Sequence, residues 1–285
     1  VNPNNGNLIG TPQPLDPHLS GGSLKGLIDM RDQTLGGLAQ TLGNLAQQAA
    51  TAFNAQANAN AAYPPPTSLT GRDTGLIGTD GLNFTGKTTI AVTDSSGKLV
   101  SRVDVNFSAG TLSVNGGGSA SIGTTMASFA TALNTALGGN GSASFANGQL
   151  SITATGSNGI LVQDDASTPS ARGGAGFSQF FGLNDVFQSQ VPSITATGLT
   201  GSDPSGLAVG GKISLSMKGP GGDIVKNVSI TTTAGQTIGD VVTALNTALG
   251  GAATFTLNSD GSISTAASAL YPGYAVNVTG DTTSR

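Results

Sequence analysis

The sequence predicts an α+β fold that is mainly β, with a long helical segment followed by two tandem β-rich domains of the order ββαββ. Apolar residues first recur in three- and four-residue steps, and apolar and polar residues then alternate between turns rich in Gly and Asn. The nonapeptide TALNTALGG also occurs at residues 131–139 and again at residues 243–251. We expect it to be the C-terminal half of a helix that covers a small antiparallel sheet, once in each duplicated domain.

The composition favours a folded protein and excludes several classes of function. Hydrophobic residues make up 37% of the 285 positions and the net charge is only −4, whereas disordered chains combine low hydrophobicity with high charge. Eleven scattered Lys and Arg residues form no basic stripe for nucleic acid. No apolar run approaches the length of a membrane span, and zero Cys excludes disulfides and thiolate metal sites.

The N-terminal quarter predicts a loop and then a helix. Residues 1–22 are rich in Pro, Asn and Gly, whereas residues 23–62 contain no proline and carry a heptad-spaced apolar stripe. The stripe contains Leu35, Leu38, Leu42, Leu45, Ala49 and Ala52. A narrow stripe on a glycine-bearing helix requires partner helices, and the prolines of residues 63–67 end the helix. The candidate assembly and packing residues are Leu35, Leu38, Leu42, Leu45 and Phe53.

The first β-rich domain begins with a strand, turn and strand over residues 87–107. Thr125 is then a suitable N-cap for a helix whose apolar residues recur with helical spacing as far as Leu137, and Gly138 ends it. Asn147-Gly148 between two alternating runs predicts a hairpin. Residues 159–164 close the unit.

The second β-rich domain repeats this order. Residues 212–232 read as a strand, a Gly-Pro-Gly-Gly turn and a strand, and Thr237 caps the second nonapeptide helix. A hairpin about Asp260-Gly261 and a closing strand follow. The first copy carries an insertion, which we assign to residues 108–120. The predicted domains are therefore residues 1–75, a loop and a long helix, and the β-rich domains of residues 76–190 and 191–285.

Residues with catalytic or ligand-binding potential are sparse, and we expect no catalytic, cofactor-binding or metal site. The single His, His18, lies in the proline-rich segment, away from any predicted nucleophile. Asp164 and Asp165 point to opposite faces of a strand and lack a calcium-loop pattern. The glycines at 116–118 and 173–174 lack the strand and helix context of a nucleotide-binding turn.

The segment of residues 172–187 holds four of the ten phenylalanines and lies between the two repeats. One interpretation is a buried connector in which these residues are inter-domain anchors, and the other is an exposed patch that binds a partner. We favour the connector. Its anchors are Phe177, Phe180, Phe181 and Phe187.

Three stretches resemble the flagellar hook-associated protein 1 family, the first hook–filament junction proteins. They are GGSLKGLIDMRD with the preceding Ser20, the L-A-x6-F-N stretch from Leu45 to Asn54, and FFGLND from Phe180 to Asp185. Together they bracket most of residues 20–187. The hairpin–helix–hairpin repeats also resemble insertion modules of flagellin-like proteins, which is a less specific similarity.

The resemblance implies an extracellular axial protein of the bacterial flagellum, exported through the flagellar type III channel without a cleaved signal. It also implies that residues 1–75 are part of the helical domain that forms the wall of the tube. Its implied partners are copies of itself, the hook protein, the second junction protein and an export chaperone for a C-terminal part. The long terminal helices of the family are missing from this sequence. The expectation is therefore a core fragment that is monomeric or weakly associating.

Three functions remain open at this point. The first is an adaptor that joins the hook to the filament by helical packing, without catalysis, and the FFGLND segment favours it. The second is another axial protein, such as flagellin or the distal junction protein. The third is a surface adhesin or a tail-fibre-like binding module, for which tandem Gly- and Thr-rich β domains are also suited.

Overall fold

The computed structural model describes residues 21–188 and 196–284, so the predicted N-terminal loop lies almost wholly outside the described residues. The chain divides into two compact units, residues 1–53 and residues 54–285. Strands contain more of the described residues than helices do, so the mixed α and β architecture with an excess of strand is confirmed. The predicted three-domain division stays a prediction.

The N-terminal helical region consists of α1 (Gly22–Asp29), a π-helical turn at Met30–Thr34, and α2 (Leu35–Asn58). The turn adds a bond from the amide of Leu35 to the carbonyl oxygen of Met30, which is the wider i→i+5 pattern. Lys25 forms an ion pair with Asp29 one turn further along α1. The described residues of the first unit therefore form a helix that is interrupted by one wider turn.

The first β-rich region contains a five-stranded antiparallel sheet of order β5-β4-β3-β2-β8 and a three-stranded sheet of order β1-β7-β6. The strands are β1 (Ser68–Thr70), β2 (Lys87–Thr93), β3 (Leu99–Asn106), β4 (Thr111–Val114), β5 (Ser119–Ser121), β6 (Gly141–Ala146), β7 (Gln149–Ala154) and β8 (Gly159–Asp164). Alternation along β2 buries Ile90 and Val92 on one face, which is the period expected of a half-covered sheet. Buried side chains from both sheets pack into one hydrophobic core.

Helix α3 (Met126–Leu137) covers this core and carries the first nonapeptide. The side chain of Thr125 accepts a bond from the amide of Ser128, whose hydroxyl accepts one from the amide of Thr125, which forms a capping box. The apolar face is buried through Met126, Phe129, Ala130, Leu133 and Leu137. Both the predicted cap and the predicted apolar face of this helix are present.

The second β-rich region contains the sheet of order β10-β9-β13, a separate hairpin β11-β12, and α5 (Ile238–Leu249), which is capped at Thr237 by Asp240. Its strands are β9 (Lys212–Lys218), β10 (Ile224–Thr231), β11 (Ala253–Leu257), β12 (Ile263–Ala267) and β13 (Ala275–Asp281). Its buried clusters are small, and include Leu215, Met217, Val241, Leu245 and Leu249.

The simple ββαββ order is not confirmed, because the structure contains more strands. Residues 108–120 form most of an additional hairpin, β4 and β5, which continues the first sheet beyond β3. Closing strands β8 and β13 return to pair with β2 and β9. The order is thus ββββαβββ in the first region, after β1, and ββαβββ in the second. Between β8 and β9, α4 (Phe177–Phe181) lies within the predicted connector.

Candidate functional site

The predicted assembly residues all have exposed side chains. Leu35 is 53% exposed, Leu38 and Leu45 are each 62% exposed, and Leu42 is 64% exposed. Phe53, at the end of the first unit, is 62% exposed. Leu24, Leu27 and Met30 upstream are also exposed. Because heptad spacing places the leucines of α2 along one side, the helix presents an apolar strip, which we call the leucine stripe (Leu35, Leu38, Leu42 and Leu45).

Three glycines lie within α2, and the packing of the described chain does not require them. A methyl group built at Gly36, Gly37 or Gly43 meets no atom within 4 Å. Glycine in a helix interior costs about 1 kcal/mol relative to alanine. These glycines therefore make α2 less stable than alanines would, and they leave its surface without side chains at three positions. Glycine at such positions allows another backbone to approach the helix closely.

The segment that follows β8 forms an aromatic cap on the first core, which we define as Phe177, Phe180 and Phe181 of α4. Phe177 and Phe181 are fully buried, and Phe180 is nearly so. The ring centroids of Phe177 and Phe181 lie 5.1 Å apart, and that of Phe84 lies 5.3 Å from Phe180. Phe107 and Phe129 complete a contiguous set of rings. Edge-to-face and offset contacts of this kind stabilise aromatic clusters beyond their buried area.

Phe187 lies apart from the aromatic cap and is 51% exposed. The sequence treated it as a fourth equivalent anchor, whereas the structure places the other three in the core of the first β-rich region. The reason is the left-handed turn at Gly182, with φ of 68°, which ends α4 and redirects the chain before Phe187 is reached. The role of these phenylalanines between domains stays a prediction.

The FFGLND segment and the two residues after it are held by Asn54 and Asn58, whose contacts the sequence patterns did not reveal. The side chain of Asn58 donates to Asp185 Oδ1 at 2.7 Å and accepts from the Ser178 hydroxyl at 2.7 Å and from the Asn184 amide at 3.0 Å. Asn58 is only 3% exposed, although it terminates a helix that is otherwise largely exposed. In the sequence, the feature that could have indicated this contact is the pair of asparagines about one helical turn apart, just before the prolines of residues 63–67.

Asn54 holds the following residues of the same segment. Its Oδ1 accepts from the amides of Val186 and Phe187, both at 2.9 Å, and its Nδ2 donates to the carbonyl oxygen of Phe187 at 2.7 Å. Arg72 adds bonds to the carbonyl oxygens of Gln179 and Phe180 and lies 3.6 Å from Asp185. We call Asn54, Asn58 and Arg72 the asparagine clamp, because together they fix the backbone on both sides of Gly182.

A buried arginine and a buried aspartate connect the two β-rich regions. Arg172, 2% exposed, donates to the carbonyl oxygens of Leu82 at 2.7 Å and of Thr197 at 2.7 Å, and its guanidinium lies 5.0 Å from the Phe180 ring centroid. Asp203 accepts from the amide of Gly81 at 2.8 Å across the same boundary.

Asp203 also accepts two bonds from Thr200 and one from the side chain of Asn83. Partial burial opposes ionisation, but the hydrogen bonds outweigh it and lower the pKa of this carboxyl group. The ionised side chain therefore belongs to the structural connection between the two regions.

Asp164 and Asp165, the acidic pair considered in the sequence, both accept hydrogen bonds from residues of the loop that follows β8. Asp164 accepts from the Ser170 hydroxyl, and Asp165 accepts from the amides of Ser167 and Thr168. The bonds from Thr168 and Ser167 lower the pKa of Asp165. In residues 21–188 and 196–284 no cluster of metal-ligating side chains occurs, and no helix there has the length and apolarity to cross a bilayer. His18 lies outside the described residues.

Comparison with known families gives one match. Residues 4–64 match the model of the flagellar hook-associated protein FlgK helical domain. This match supports a flagellar hook-associated protein family. No curated protein and no solved structure matches the chain.

The matched residues include the leucine stripe and both asparagines of the clamp. The match is a similarity of the N-terminal part of the chain to that helical domain. The β-rich regions beyond residue 64 lie outside the match.

Proposed function

We propose that the protein is the adaptor at the hook–filament junction and that it assembles through the leucine stripe. The observation that supports this proposal most strongly is an exposed apolar stripe within the residues that match the hook-associated helical domain. Burial of a Leu side chain contributes about 1.5–3 kcal/mol, so four exposed leucines represent a large potential gain on packing. In a tube built from identical subunits in head-to-tail contact, every subunit could bury the same stripe against its neighbour.

The proposed partners are other copies of this chain, the hook protein and the second junction protein. Export through the flagellar type III channel, assisted by a chaperone, is part of the same proposal. The β-rich regions fold around their own cores and would project from the wall of the tube.

Deletion of the gene tests the role in cells. We expect hooks without filaments and flagellin released into the medium as unpolymerised subunits. Normal filaments would contradict the proposal and favour the adhesin alternative. Gold labelling of the protein at hook tips in cells that lack the second junction protein distinguishes the first junction position from a later one, where the label would be absent.

Paired charge variants test the leucine stripe. Leu38→Asp/Leu45→Asp places two carboxylates within the stripe, whereas Gln40→Asp/Gln47→Asp adds the same charge with the same spacing on the opposite side of α2. We expect the first pair to abolish complementation of motility in the deletion strain and the second pair to preserve it. Equal motility of the two strains would refute assembly through the stripe.

A further inference from the structure

The outer face of the five-stranded sheet carries polar side chains in two rows. Residues at every second position of a strand share a face, and directly opposed residues on neighbouring strands lie on the same face. The first row across β2, β3 and β4 is Thr89, Asp104 and Ser113, and the second is Lys87, Asn106 and Thr111. Val105 and Leu112, which alternate with these residues, are buried on the core side. The two rows therefore lie side by side on the face away from the core.

These rows line a groove with a volume of about 340 Å³, which we call the sheet groove. Ser119 of β5 and Asp165, the residue after β8, also line it. Ligand pockets commonly have volumes of about 300–1,000 Å³. The sheet groove is therefore large enough to take a small organic molecule rather than only an ion.

The hairpin that follows β3 builds one side of the sheet groove. Strands β4 and β5 supply Thr111, Ser113 and Ser119. In the second region, β10 corresponds to β3, and it pairs with no described strand other than β9. The hairpin is thus an addition to the repeated framework, which is complete without it. Additions to a rigid scaffold are common places for residues that bind a ligand.

Four side chains of the sheet groove have polar groups that are available to a ligand. Within the part of the chain that the structure describes, no hydrogen bond involves the side chain of Lys87, Thr111, Ser113 or Ser119. An ammonium group donates only, whereas each hydroxyl group both donates and accepts. The Nδ2 group of Asn106 is also available, since only its Oδ1 is engaged, by the amide of Ala109.

Asp104 is held in a fixed orientation within the first row. Its Oδ1 accepts from the Thr89 hydroxyl at 2.9 Å, and its Oδ2 accepts from Arg102 Nε at 2.9 Å. Since a carboxylate oxygen has about two acceptor sites, each oxygen of Asp104 is able to accept a further bond. The sheet groove therefore places an oriented acceptor beside the donors of Lys87 and Asn106.

The charges at the sheet groove determine which class of ligand fits it. The carboxylates of Asp104 and Asp165 repel an anion, and the ammonium group of Lys87 repels a cation. Lys87 and Arg102 together balance the two carboxylates. An apolar ligand would leave the polar side chains without partners. A neutral molecule with several hydroxyl groups satisfies them, because a hydroxyl donates to a carboxylate and accepts from an ammonium group.

We propose that the sheet groove binds a neutral oligosaccharide. Sugar hydroxyls donate to Asp104 and accept from Lys87 and Asn106, and the hydroxyls of β4 and β5 complete the contacts. Neighbouring strands are about 4.8 Å apart, so the distance from β2 to β5 is about 14 Å, which allows contact with more than one sugar ring. The residues that line the groove include no aromatic ring on which a sugar stacks, so a single site should bind weakly.

A glycan array tests the proposal on the full chain. The fluorescently labelled protein is applied to neutral and acidic oligosaccharides, and the affinity for the strongest neutral one is then measured by saturation-transfer difference NMR. We expect saturable binding that Ser113→Tyr weakens at least tenfold, because the added ring fills the groove. Ser229→Tyr is the matched control, since Ser229 is exposed on the outer face of β10 in the second sheet, and it should change the affinity less than twofold.

Two further variants keep the test independent of folding defects. Ser119→Tyr obstructs the groove from the exposed strand β5, and it should weaken binding at least fivefold without a change in the urea unfolding midpoint. Lys87→Gln removes the ammonium donor and should weaken binding at least threefold. Lys212→Gln is its matched control, because Lys212 is the exposed first residue of β9 as Lys87 is of β2, and it should leave the affinity unchanged.

Three outcomes would overturn the proposal. The first is the absence of binding to every neutral oligosaccharide on the array. The second is stronger binding of acidic than of neutral glycans, which the carboxylates of the groove should prevent. The third is equal affinity of the groove variants and their matched controls. Selective binding of glycoprotein glycans or of bacterial polysaccharide fragments would support the site in either case and would identify the source of its ligand.

Discussion

Replacement of Asn58 by alanine tests how the end of the helix is joined to the FFGLND segment. Asn58→Ala removes bonds to Asp185, Ser178 and Asn184 at one buried position, and also the bond to the carbonyl oxygen of Asn54 within the helix. The apolar core is not altered directly, and no hydrogen bond between two backbone groups is removed. The variant therefore isolates the contribution of a polar junction that the sequence patterns did not reveal.

The expected loss is about 3 kcal/mol in the free energy of unfolding. Each neutral hydrogen bond contributes about 1 kcal/mol net, and a bond to a charged group contributes about 1.5–3 kcal/mol. Ser178 is 1% exposed and loses its acceptor, whereas Asp185 retains Arg72 at 3.6 Å, which limits the loss. With a urea dependence of about 2 kcal/mol per molar, the midpoint should fall by roughly 1.5 M.

The assay is urea unfolding followed by far-UV circular dichroism, because the chain contains no Trp. Hydrogen-exchange mass spectrometry on peptides from β7 and β8 assigns the transition to the first β-rich region. Asn60→Ala is the matched control, since Asn60 is exposed and its side chain donates to the carbonyl oxygen of Gln56 within the helix end. Equal midpoints for the two variants would refute the structural role that we assign to Asn58.

Further predictions concern the aromatic cap, the helix and the acid side of stability. Phe181→Ala should cost about 3–5 kcal/mol in urea unfolding, because the side chain is fully buried, whereas Phe187→Ala should cost less than 1 kcal/mol; similar losses would contradict the placement of the cap. Gly43→Ala should stabilise α2 by about 1 kcal/mol and raise the helical signal in circular dichroism, since the added methyl group meets no atom; an unchanged or lower signal would contradict this. The lowered pKa of Asp203 stabilises the folded protein above the ordinary carboxyl pKa, and this stabilisation is lost as the pH falls through the pKa of the folded state. Asp203→Asn should therefore reduce the difference in urea unfolding midpoint between pH 6 and pH 3. An unaltered difference would show that Asp203 does not cause the loss of stability in acid.

The sequence alone determined the elements whose signals are local. The stepwise leucines of α2, the caps at Thr125 and Thr237, and the turn at Asn147-Gly148 all appear as predicted, the last with φ of 51° and 74°. Each depends on residues within one or two turns of the chain, where backbone preference and side-chain spacing are sufficient.

The tertiary structure decided everything that joins distant residues. Asn58 and Asp185 are 127 positions apart, and nothing in either neighbourhood specifies the bond between them. The same holds for β1, which pairs with β7, and for the insertion that became β4 and β5. Phe181 and Phe187 are the same residue type in one segment, yet only Phe181 reaches the core, because the turn at Gly182 redirects the chain. Burial is a property of the assembled core, so local patterns cannot assign it.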